Sequence, residues 1–198
     1  MTHSGPWRLK EMLPAEVRER LARRPTLLVP VGTTEQHGPH LPLGADTIIV
    51  ERLTDDLSAR LGVVRAPTLE YGVNAFDAPV FPGSATLKRK TLHRLMNELI
   101  DSWETGAGVR DFLVLTAQGH EPHQEALATI RVNEARLRVV DVFAMDFGDL
   151  LSYPDGPVHG GELDTSLLLH LAPDLVRLES PPEAPEAVAA RGRRGRRA

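Results

Sequence analysis

The stretch Asp111-Phe112-Leu113-Val114-Leu115-Thr116 decides the fold, together with the short loop Ala117-Gln118-Gly119-His120 and the helical pattern from Pro122 to Arg136. A continuous apolar run of six residues that ends in a polar loop and re-enters a helix is the signature of a strand buried on both faces. The same grammar appears upstream. Thr26 to Val31 (TLLVPV) reads as a strand, Gly32 to Ala45 as a polar loop, and Asp46 to Leu61 as a helix that Gly62 stops. Further elements follow the alternation: a helix from Pro14 to Arg24, a weak strand from Val63 to Ala66, and a helix from Lys88 to Thr105. A strand from Val139 to Met145, a helical turn at 146–151 and a last helix from Glu162 to Leu171, ended by Pro173, complete the pattern. Strands alternating with helices require parallel pairing through right-handed crossovers. The expected architecture is therefore an α/β fold, a three-layer α/β/α sandwich with a mostly parallel central sheet of roughly four to six strands.

Composition narrows the chemistry. The 198-residue chain has no cysteine, which excludes thiolate zinc sites, iron–sulfur clusters and a thiol nucleophile. No apolar run is long enough for a membrane span, and no basic-then-apolar leader is visible, so a cytoplasmic protein without a membrane partner is expected. Net charge is −4, yet five of the 23 basic residues are arginines within the last eight positions, leaving 18 against 27 acidic residues elsewhere. An acidic body argues against nucleic acid and suits a small-molecule substrate and a carboxylate-held cation. Residues 1–179 are expected to form the domain. From Ser180 onward Pro, Ala, Glu and Arg dominate, and 180–198 is expected to be a disordered tail.

Three loops carry the chemistry, and ligands of such sheets bind beyond the carboxyl ends of the strands. They are Gly32 to Asp46 (GTTEQHGPHLPLGAD), Gln118 to His123 (QGHEPH) and His159 to Ser166 (HGGELDTS). Between them they hold five of the eight histidines, and five carboxylates. Imidazole and carboxylate donors without thiolate suit zinc, manganese or iron(II). Two divalent cations about 3.5–4 Å apart are typically held by bridging carboxylates and neutral imidazoles. Glu35 and His37, two residues apart in an extended loop, point to the same side. Asp46 either caps the following helix or bridges metals. Glu162 and Asp164 sit where a helix dipole favours carboxylates in any case.

These residues resemble the creatininase (creatinine amidohydrolase) family. Gly32 through Asp46 match its Gly-Ser-x-Glu-Gln-His-Gly-Pro-His-Leu-Pro-Leu-x-x-Asp motif almost continuously, and Phe81-Pro82-Gly83-Ser84 matches its Phe-Pro-Gly-Thr segment. The family's His-Ala-Gly-x-x-Glu-Thr-Ser is similar to His159–Ser166, and its Asn-Gly-His-Gly-Gly-Asn loop is altered to Gln118–His123. The resemblance implies a binuclear metal-dependent hydrolase of C–N bonds in small, often cyclic, amides, assembled as a homo-oligomer, often a hexamer. It implies Glu35, Asp46 and His120 around one ion, and His37 with bridging Asp46 around the other. The family glutamate two residues after the loop histidine is Pro122 here, which cannot ligate. Glu162 is expected to replace it on grounds of reach, with Asp164 as the alternative and otherwise a substrate contact. His159 is expected to serve catalysis as proton donor or oxyanion partner. Glu121 either joins the site, as a proton shuttle or ligand, or merely favours the next helix. Asn74, Phe76 and His123 are candidate substrate contacts. Family branches acting on peptides or on cyclic sugar ketones and lactones are alternatives, as is an inactive, metal-stabilised binding subunit.

Overall fold

The computed structural model describes residues 5–75, 81–152 and 158–179. Phe76, the expected tail 180–198 and parts of two expected loops lie outside the described residues. Five parallel strands form one sheet: β1 (Trp7–Arg8), β2 (Thr26–Val31), β3 (Val64–Arg65), β4 (Asp111–Thr116) and β5 (Arg136–Asp141), in the order β1-β3-β2-β4-β5. The helices are α1 (Pro14–Arg23), α2 (Ala45–Leu61), α3 (Arg89–Ala107), α4 (Glu121–Ala128) and α5 (Glu162–Leu171).

Alternation along the strands builds two cores. Leu27, Val29, Val31, Phe112 and Val114 pack with buried residues of α1, α3 and α4. Leu28 and Leu115 pack with α2 and α5 on the opposite face. Chain direction explains the division. Right-handed crossovers that step from β3 to β4 to β5 put α3 and α4 on one face, and the reverse step from β2 to β3 puts α2 on the other. The reversal leaves a crevice between the carboxyl ends of β2 and β4, and such a switch point is where open α/β sheets bind ligands. Pro30 is tolerated in a central strand because β3 beside it is only two residues long; Leu69 N–H still donates to the Pro30 carbonyl at 3.0 Å.

Several boundaries differ from the sequence reading, the end of the last strand at Asp141 rather than Met145 among them. The helix expected over 122–136 stops at Ala128. Buried Glu104 of α3 accepts the backbone N–H groups of Asn133, Glu134 and Ala135 at 2.9, 2.6 and 2.8 Å, which fixes that segment as a loop. The last strand begins at Arg136 rather than Val139, because an edge strand can expose Arg136 and leave Arg138 charged outside the apolar run. Strand β1 carried no periodic signal at two residues. Among the described residues no helix is long and apolar enough to cross a membrane.

One buried ion network ties β1, α2 and β3 together. Arg65, 1% exposed, donates from Nε to Asp55 at 2.8 Å and from Nη2 to Glu51 at 2.8 Å, while Arg8 donates to Asp55 at 2.8 and 3.1 Å. Burial opposes ionisation of Asp55, but the hydrogen bonds from Arg8 and Arg65 outweigh it and hold the carboxyl below its usual range. Its stabilising contribution is therefore complete above the ordinary carboxyl range and lost as pH falls through the lower folded value. Asp55→Asn, which leaves a buried guanidinium under-paired, is expected to cost about 3 kcal/mol in urea unfolding at pH 7. Its deficit relative to wild type should shrink below about pH 4.

Candidate metal centre

The first loop delivers its donors because α2 starts hard against the end of β2. A Cβ on Gly32 would stand 2.4 Å from Thr47 Oγ1 and 2.6 Å from Thr47 Cα, so only glycine permits that approach. The approach brings Asp46 back over Glu35 and His37. All three are buried, at 2%, 0% and 1% exposure. Asp46 does not cap α2, whose N-cap is Gly44. Its Oδ1 lies 3.0 Å from His37 Nε2, and its Oδ2 accepts from the Thr33 hydroxyl and, at 3.3 Å, from Gln118 Nε2. Glu35 accepts from Gln118 Nε2 at 2.5 Å and from the Ala75 N–H at 3.1 Å.

The third loop closes over this group. Gly160, at φ +66°, lies so near His37 that a Cβ would come within 2.7 Å of the His37 carbonyl oxygen. Its N–H donates to Asp164 at 2.7 Å, and the His159 ring packs 4.3 Å from that of His37. A cavity of about 380 Å³ results, and its polar wall comprises His37, Asp46, Gln118, His120, Asp141, His159 and Asp164. Ala75, Ala117, Phe143 and Val158 supply apolar wall.

Several expectations need correction. Glu162, the favoured fifth metal donor, accepts the Ser152 N–H at 3.0 and 2.8 Å and is absent from the cavity wall; Asp164, two residues on and so about 200° around the helix, is 4% exposed and is the acid that lines the cavity. The two acids share the first turn of α5 but leave it on opposite sides, so facing rather than side-chain length decides which one lines the cavity. His123 is fully buried and absent from the cavity wall, with Nδ1 accepting the Val73 N–H at 3.1 Å and Nε2 donating to Thr116 Oγ1 at 3.0 Å, so it ties strand β4 to the segment at Val73. Asn74 clamps backbone, donating from Nδ2 to the carbonyls of Thr34 and Ala85 at 3.1 Å each, and it does not line the cavity. Glu121 is exposed on the first turn of α4 and is absent from the cavity wall. Conversely, Gln118, Asp141 and Thr33 carried no assigned role. Asp141 ends β5 beside Thr116, and the rule that strand ends face the ligand would have flagged it.

Electrostatics mark the site as cation-seeking. Burial, with the nearby Asp46 charge, pushes the Glu35 carboxyl up to about 7. Burial likewise lifts Asp164 to about 6, against the His37 charge. For His37, burial is outweighed by the charge and hydrogen bond of Asp46, and the imidazole rises to about 9. His120 is held below its usual value by burial, hence neutral and ligand-competent at pH 7.

The donor set fits a metal. The His37 Nδ1–H donates to the Glu35 carbonyl at 3.0 Å, which leaves Nε2 directed at Asp46. That second-atom hydrogen bond is the usual way a protein orients a ligating imidazole. Two donors held about 2.0–2.2 Å from one ion stand roughly 2.9–3.5 Å apart, and the His37–Asp46 edge is 3.0 Å. Among the described residues, however, no group of three or more such side chains is arranged to hold a metal ion.

A family model described as creatinine amidohydrolase matches residues 10–197. The chain belongs to the creatininase family. One relative within it, a mycofactocin precursor peptide peptidase of Mycolicibacterium smegmatis, is 34% identical over 157 residues, covering 76% of this chain and 59% of the relative. A 3-dehydro-scyllo-inosose hydrolase of Thermotoga maritima is 27% identical over 179 residues, covering 83% and 56%. The chain thus spans about six-tenths of the length of these curated relatives. Among solved structures, a mutant creatininase complexed with creatine superposes with a TM-score of 0.75 at 26% identity, covering 94% of this chain and 86% of the other. Solved creatininases of comparable similarity include manganese and zinc–zinc forms.

Because Glu35 and His37 carry protons near neutrality, metal uptake must displace them. Titration of the chelator-stripped protein with Mn²⁺ at pH 6.5, in two buffers of different ionisation enthalpy, should show net proton release. Affinity should rise from pH 6 to pH 8; a pH-independent affinity would contradict this electrostatic reading.

Proposed function

We propose that this creatininase-family protein is a metal-dependent amidohydrolase that cleaves a C–N bond of a small amide in the crevice between β2 and β4. The carrying observation is that acids and imidazoles from three separate segments, His37 and Asp46, His120, and His159 and Asp164, line one cavity, with Glu35 buried and joined to Asp46 through the Gln118 amide. In this reading Glu35, Asp46 and His120 would hold one divalent ion, and His37, Asp46 and Asp164 the second, with Asp46 shared. Zinc, manganese or iron(II) suits these donors. When bound, such ions supply Lewis-acid polarisation of the scissile carbonyl and a water activated near neutral pH.

The chain's own groups do the rest. His159 donates from Nε2 to the Gln36 carbonyl at 2.6 Å, so its neutral tautomer carries the lone pair on Nδ1. Burial and the His37 charge lower its pKa to about 4, which keeps the ring neutral at pH 7. That form suits the expected proton shuttle: Nδ1 accepts a proton and then returns it to the leaving nitrogen. Phe143, Val158 and Ala75 offer an apolar wall against which the substrate's carbon skeleton packs. The cavity volume lies in the range of small-molecule sites. A peptide end is the second reading, favoured because the peptidase relative is 34% identical whereas the inosose hydrolase is 27%. A homo-oligomer belongs to the same proposal.

The metal-loaded protein should hydrolyse a member of a panel of cyclic amides and short peptides in preference to lactones and cyclic sugar ketones. His159→Ala should lower kcat by about 10²–10⁴ while metal content is retained. Asp46→Asn should lose both metal and activity. Cleavage confined to lactones or sugar ketones would overturn the C–N assignment. Stable metal binding with no hydrolysis anywhere in the panel would point instead to a binding subunit.

A further inference from the structure

Gln118 binds two of the three carboxylates to which the proposed metals are assigned, Glu35 and Asp46. Its Nε2 donates to Glu35 Oε2 at 2.5 Å and to Asp46 Oδ2 at 3.3 Å, while its Oε1 accepts the His120 N–H at 2.9 Å. These contacts allow one amide orientation. Reversed, the carbonyl oxygen would face two carboxylates and the NH₂ would face a backbone donor. The remaining oxygens are also engaged: Glu35 Oε1 by the Ala75 N–H, Asp46 Oδ1 by His37, and Asp46 Oδ2 additionally by Thr33. Gln118 is the donor common to both acids, and its amide stands between them as a neutral stand-in for a cation.

The backbone at this point is pinned. Gln118 N–H donates to Thr116 Oγ1 at 3.2 Å, and its carbonyl accepts from the Gln124 side chain. Only the side-chain torsions of Gln118 are available for movement.

We infer that Gln118 is a latch on the metal centre: its amide competes with a divalent ion for Glu35 Oε2 and Asp46 Oδ2, and loading requires it to swing aside. The inference rests on the proposed metal-dependent function and names what tunes that site. Gln118 is a positioning residue, since it acts through Glu35 and Asp46.

The test compares wild type with Gln118→Ala and Gln118→Met, the latter matching length without a donor. Each full-length protein is stripped with chelator, dialysed, and titrated with Mn²⁺ and Zn²⁺ in competition with a chromogenic chelator. Folding is checked by circular dichroism and thermal unfolding. Both variants should bind metal about tenfold more tightly, the equivalent of one charge-assisted hydrogen bond no longer surrendered on loading. A residue that merely supported the fold would lower Tm and leave metal affinity unmoved. Equal or weaker affinity in the variants overturns the latch alone, and Gln118→Met carries the comparison if Gln118→Ala misfolds. Failure of every form, wild type included, to take up either metal removes the proposed function and the latch together.

Discussion

Glu35 and Asp46 are carboxylates packed beside each other out of water, and the architecture of the carboxyl edge follows from that arrangement. Each is costly to ionise in isolation, because burial and mutual repulsion both oppose charge. The fold offsets the cost with oriented donors: the Ala75 N–H, the Thr33 hydroxyl, the Gln118 amide and the His37 imidazole. Gly32 and Gly160 exist to let α2 and the third loop come close enough for this to happen. A divalent ion would replace several partial charges with a whole one, which is why the raised Glu35 and Asp164 carboxyls mark this edge as a place for a cation.

Topology explains why the costly arrangement is located where it is. The strand order reverses between β2 and β4, so the loops after these strands diverge and leave a crevice that side chains must line. The braces around it are polar but structural. His123 bridges Thr116 and Val73, and Asn74 joins the Thr34 and Ala85 carbonyls. Such residues look functional in a sequence because they are buried polar groups near a site, yet the hydrogen bonds they make here go to the scaffold.

The central strands were legible because TLLVPV and DFLVLT are apolar on both faces, and only the middle of a parallel sheet buries both. The boundary of α4 was not, since the signal that ends it is Glu104, a residue 25 or more positions earlier that captures the chain after the helix. At the site, the spacing and the family motif singled out Glu35, His37 and Asp46, and the structure buries the three together. The choice between Glu162 and Asp164 was not legible, because side-chain length says nothing about which way the first turn of α5 faces. Asp141 was overlooked for a related reason: its strand is an edge strand whose charged positions blur the apolar pattern.

Anomalous diffraction from crystals of the full chain loaded with Mn²⁺ tests the central claim most directly. The account predicts two anomalous peaks inside the cavity, flanking the Asp46 carboxylate, with Glu35 and His120 on one side and His37 and Asp164 on the other. An empty cavity, or manganese bound only at the protein surface, would contradict it.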